Sequence, residues 1–71
     1  MTEVQVGTLE YNIIGEGVTV YKETNGDPMP CYAKGDDHSH IEWQGMMAAN
    51  STDQQILDAC DAYLKSEKGW C

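Results

Sequence analysis

Apolar residues recur at two different periods along this chain. Toward the C-terminus the period is helical: Ile56, Leu57, Cys60, Tyr63 and Leu64 make one stripe. Gln54, Asp58, Asp61 and Lys65 fall on the opposite side, with Asp61 and Lys65 a favourable i,i+4 pair. Capping residues precede the stripe. Ser51 with Gln54, or Thr52 with Gln55, matches a capping box, and Asp53 puts negative charge in the first turn, where the helix dipole favours it. Gly69 is placed for a left-handed C-cap, after which Trp70 can fold back toward Leu64. The pattern predicts a helix over residues 51–68, roughly 25 Å long. Such a helix cannot bury its stripe alone, so the rest of the chain is expected to supply the surface it packs on.

Upstream the period is that of strands. Val4 and Val6 alternate with polar residues, as do Leu9, Tyr11 and Ile13, but the parity switches between Val6 and Leu9. A bulge at Gly7-Thr8 would restore one continuous apolar face. Gly15-Glu16-Gly17 reads as a hairpin loop, and residues 18–24 as a second strand with Val18 and Val20 on one face and Thr19, Tyr21 and Glu23 on the other. Asn25-Gly26 signals a second hairpin, which Asp27-Pro28 lengthens. Residues 28–33 carry Pro28 and Pro30, which points to an edge strand or an extended segment beside the sheet. Residues 38–44 form a fourth strand candidate, with Ile41 and Trp43 facing one way and His38, His40 and Glu42 the other.

The expected architecture is a single α+β domain: a small antiparallel sheet of three to four strands with one C-terminal helix across one face. Its strand region covers residues 3–44, an apolar linker residues 45–50 and the helix residues 51–68. The methionines of the linker are expected to fill space under the helix.

Composition narrows the functional classes. A chain of 71 residues buries little, so its stability margin is expected to be thin. Three cysteines, Cys31, Cys60 and Cys71, are an odd count without a CxxC pair, which predicts reduced thiols in a reducing compartment; pairing of two chains through Cys71 is the alternative. The opening MTEVQVG has neither a basic nor an apolar region of a secretory signal, and a cytoplasmic location is expected. Twelve acidic residues stand against four basic ones, for a net charge of −8, and all four bases are lysines. That balance argues against direct nucleic-acid binding and against docking on an anionic membrane.

Two clusters carry candidate chemistry. On a strand, His38 and His40 share a face, where the two imidazoles could chelate one ion, with Glu42 next on that face or Cys31 reaching in from a neighbouring strand; only two ligands are well placed. Structural zinc wants four ligands at recognisable spacing, so a solvated polar face is the expected reading and no cofactor is anticipated. The sequence contains no HExxH, nucleophile elbow or Gly-rich phosphate loop, and no enzyme activity is expected. The second cluster is the carboxylates. Glu10, Glu23 and Glu42 on the outward strand face, Asp36 and Asp37 in a turn, and Asp58 and Asp61 on the outer helix side form strips of negative charge. Tyr21, opposite Val18 and Val20, is the candidate aromatic anchor. Such a surface imitates a phosphate backbone and fits the basic groove of a nucleic-acid-binding protein or ribonucleoprotein.

In length and charge across the whole chain, the sequence resembles the small acidic phage proteins that block host defence, in particular DNA-mimicking anti-CRISPR proteins. No family motif is shared, so no functional residue is carried over. The resemblance implies an inhibitor without a cofactor, acting in the host cytoplasm on the DNA or PAM channel of a CRISPR effector. Two rival readings stand beside it: a small phage structural or assembly subunit that self-associates, and a metal-dependent module using His38 and His40.

Overall fold

In the computed structural model, residues 3–12, 14–36 and 40–70 are described. Four strands, β1 (Glu3–Tyr11), β2 (Glu16–Glu23), β3 (Met29–Gly35) and β4 (Ile41–Met47), precede one helix, α1 (Asp53–Glu67). The strands form an antiparallel meander in the order β1-β2-β3-β4, and α1 packs on one face, giving an α+β fold.

The helix begins where its cap dictates. Thr52 Oγ1 accepts the Gln55 N–H while the Gln55 side chain accepts the Thr52 N–H, a complete capping box. At the other end Gly69 takes φ +70°, the left-handed conformation that glycine adopts without a Cβ clash, and the Trp70 N–H donates back to the Leu64 carbonyl at 3.1 Å. Ile56, Cys60 and Leu64 are buried against Val18, Val20, Met29, Cys31, Ala33 and Trp43 of the sheet. Tyr63, predicted in the stripe, is 39% exposed, because the packed surface centres on the 56–60–64 row and Tyr63 lies at its margin.

A bulge does join the two apolar sets of β1, but it sits at Val6, one residue earlier than the parity argument placed it: Gln5 pairs with Tyr21 and Gly7 with Val20. The helix comes close beside the bulge: a Cβ on Gly7 would stand 3.1 Å from Leu57 Cδ1, so the bare glycine leaves room for that side chain. β1 runs to Tyr11 and β2 begins at Glu16, so Glu16 and Gly17, expected in the hairpin loop, are already in β2, with Gly17 paired with Glu10; Gly15 takes φ +70°, and Ile13 lies outside the described residues.

β3 is an interior strand, not an edge. Its prolines are accommodated by position: the β2–β3 register ends at Lys22↔Cys31, so Pro30 lies beyond it and Pro28 lies in the preceding loop. β4 begins at Ile41 and continues through Met47, absorbing part of the predicted linker. Trp43 opposes Ala33 but Ile41 opposes Lys34, so Glu42 is an extra residue in the ladder. That bulge turns Ile41, expected inside with Trp43, to the face away from α1, where it is 51% exposed. Met47 packs on the core as expected, whereas Met46, opposite Pro30, is 59% exposed on the outer face. No helix of the described residues is long and apolar enough to cross a membrane.

A candidate docking face on the open side of the sheet

Strand alternation sorts the sheet into two surfaces. The even positions of β2, with their partners, face α1; the odd positions face away from it. On the outer surface one row runs straight across the four strands as Gln5, Tyr21, Tyr32 and Gln44, each opposite the next in register. The rings of Tyr21 and Tyr32 stack with centroids 5.4 Å apart and an interplanar angle of 26°. Lys34, two residues beyond Tyr32 on the same face, places its Nζ 5.7 Å from the Tyr21 centroid and 5.4 Å from that of Tyr32. Both distances are within cation–π range.

Carboxylates rim this row. Glu23 is two residues along from Tyr21 and opposes Glu3, a like-charge cross-strand pair. Glu10 lies farther along β1, opposite Gly17. The chain turns after β3 so that the Asp36 N–H donates to the Gly17 carbonyl at 2.8 Å, and its carboxylate accepts the Thr19 hydroxyl at 2.8 Å. A Cβ on Gly17 would meet Asp36 Oδ2 at 2.8 Å, so the bare backbone lets the carboxylate lie over the strand. Glu10, Glu16 and Asp36 line an open depression of about 280 Å³ at this end of the sheet. The fold thus gathers Glu10, Tyr21, Glu23 and Asp36 of the predicted set on one surface.

The other predicted residues lie elsewhere. Glu42, expected outward beside His40, faces the end of the helix, with Lys68 Nζ 3.7 Å from its carboxylate, because the β4 bulge breaks the alternation. Asp61, expected on the outer helix side, is turned toward the sheet: it accepts the Tyr11 hydroxyl at 2.7 Å and pairs with Lys65 at 3.1 Å. The Tyr11 bond holds the Asp61 carboxyl below the usual carboxylate range, against the opposing effect of burial and with help from Lys65. Asp58 is exposed on the helix and accepts from Gln54 Nε2 at 2.8 Å. Asp37 and His38 lie outside the described residues, and His40 is exposed before β4. Among the described residues, no three His, Cys, Asp or Glu side chains are arranged to hold a metal ion.

Cys31 and Cys60 are buried free thiols. Burial raises both, pushing Cys60 up to about 12, so they are protonated at neutral pH and lack the thiolate that nucleophilic chemistry requires.

Sequence reasoning missed Tyr32, Lys34 and Glu3. The signal for the first two was present: Tyr32 and Lys34 share the parity of Pro30, and pairing 18–24 against 28–35 as a hairpin sets Tyr32 beside Tyr21. The two prolines concealed it by making β3 read as peripheral. No protein-family model, curated protein or solved structure matches this chain.

Proposed function

We propose that this chain is a small acidic binding protein that docks by the open face of its sheet onto a basic protein surface, and that it acts as a decoy for nucleic acid there. One observation carries the reading: the Tyr21–Tyr32 stack sits on a face carrying Glu3, Glu10, Glu23 and Asp36, against Lys34 as the cation among the described residues of that face. Aromatic rings with polar tips supply short-range contact, and surrounding carboxylates supply long-range attraction to a cationic groove. The net charge of −8 adds a field that repels DNA, RNA and anionic lipid alike.

The finer reading is a phage-type inhibitor that occupies the DNA channel of a bacterial defence complex such as a CRISPR effector. Its support is the length and charge that the chain shares with DNA-mimic inhibitors. A reducing, cytoplasmic setting belongs to the same proposal and is supported by the free thiols of Cys31 and Cys60.

Competition with DNA for such an effector tests this directly. The parent chain is expected to compete, less well as salt rises, because attraction between exposed charges is screened. The double variant Glu10→Lys with Glu23→Lys is expected to lose competition, mainly through slower association, while Asp58→Lys on the helix keeps it. Undiminished competition by the sheet variant sinks the decoy reading.

A self-associating assembly subunit is the second reading. It is favoured by Ile41 and Met46, two large apolar side chains exposed on β4 at a free sheet edge. A sedimentation measurement showing a stable dimer that Met46→Lys dissociates would put it first.

A further inference from the structure

We infer that the Tyr21–Tyr32 pair is a receptor for an arginine side chain of the partner, and that Lys34 holds that place in the free protein. The inference rests on the reading that the open face docks a basic surface, and it specifies which cation the face selects.

The geometry supplies three supports. First, Tyr21 and Tyr32 stack across the strands on the face away from α1, which brings two π systems within reach of one cation. Second, the pair already holds a cation: the Lys34 ammonium is within 6 Å of both centroids, at 5.7 and 5.4 Å, so the site accepts positive charge. Third, hydrogen-bond acceptors surround it: the amides of Gln5 and Gln44 end the row, and Glu23 lies beside Tyr21 opposite a second carboxylate, Glu3. An arriving cation relieves the repulsion between Glu3 and Glu23.

These features favour guanidinium over ammonium. A guanidinium is planar, stacks flat on a tyrosine face, and keeps its in-plane donors free for carboxylate and amide oxygens. It is also less strongly hydrated than an ammonium, so it costs less to bring onto the rings. A partner arginine therefore gains more than a partner lysine and displaces the tethered Lys34. A second copy of this chain is a poor occupant, since each copy carries −8 and the same carboxylate-rich face.

The test is calorimetric titration of the full chain with an arginine-rich and a lysine-rich peptide of equal length and charge. The parent is expected to bind the arginine peptide about two- to fivefold more tightly. Tyr32→Leu, checked for folding by circular dichroism, is expected to erase that preference while leaving the lysine peptide's affinity within about twofold. Lys34→Gln and Lys65→Gln give chains of identical net charge; only Lys34→Gln removes the occupant of the rings and should strengthen arginine binding beyond the Lys65→Gln gain. Equal affinities for the two peptides, or equal gains from the two lysine variants, overturn the inference while the docking reading stands. Failure of both peptides to bind even at low salt removes the docking reading itself.

Discussion

The Tyr11 hydroxyl donates to the Asp61 carboxylate at 2.7 Å, joining the end of the first strand to the helix across fifty residues of sequence. Around this bond the Tyr11 ring is buried and meets Trp70 edge-on, with centroids 5.4 Å apart at 64°. One strand end, the middle of the helix and the residue after its C-cap therefore meet at a single tyrosine.

Removing the hydroxyl isolates the polar part of that junction. Tyr11→Phe keeps the ring contacts and is expected to cost about 0.5–1.5 kcal/mol, the modest end for a charged acceptor, since Asp61 can be rehydrated from its exposed side. Urea melts of the two proteins at neutral pH measure it.

The same bond has a pH signature. The folded-state pKa of Asp61 is depressed, so its contribution is complete above the ordinary carboxylate value of about 4 and is lost as pH falls through the lower folded value. Tyr11 is shifted the other way, above its ordinary 10.0, by burial first and by the bond to Asp61 second. Its contribution is complete below the ordinary value and declines as pH rises past it. Stability of the parent relative to Tyr11→Phe should thus narrow at both acid and alkaline extremes, as melts across pH will show.

Leu64, on the sheet-facing side of α1, is fully buried in the core. Leu64→Ala is expected to cost about 2–5 kcal/mol, close to the whole stability of so small a domain. Thr52→Ala, which removes the capping hydroxyl, should cost about 1 kcal/mol. Thermal melts followed by circular dichroism order the two effects, and an unchanged Leu64→Ala melt would contradict the packing described.

Thiol reactivity reports the same core from another side. Cys60 is buried with its pKa raised to about 12, so it should react slowly with a disulfide reagent at mild alkaline pH in the folded protein, and fast in denaturant. Rapid labelling of native Cys60 would show that the helix opens readily or does not cover it.

The helix was legible in the sequence almost to the residue, because capping and periodicity are local: Thr52, Gln55 and Gly69 act within a turn of themselves. An antiparallel sheet of three to four strands, with Val18 and Val20 on one face of the second, was legible for the same reason, since hairpin turns and alternation extend over a few residues. Where a strand stands in the sheet is not local. Pro28 and Pro30 argued for an edge, yet β3 is interior, because the length of its neighbour's pairing, not its own composition, left Pro30 outside the register. Bulge positions were decided in tertiary structure too. Leu57 approaching Gly7 accompanies the bulge at Val6, and the extra Glu42 sends Ile41 outward and that carboxylate to Lys68. The candidate face shows both levels at once. Alternation alone put Tyr21 and Glu23 on the surface opposite Val18 and Val20, but only strand pairing could set Tyr32 and Lys34 beside them, because a cross-strand neighbour is chosen by register and a single strand does not encode its partner's register.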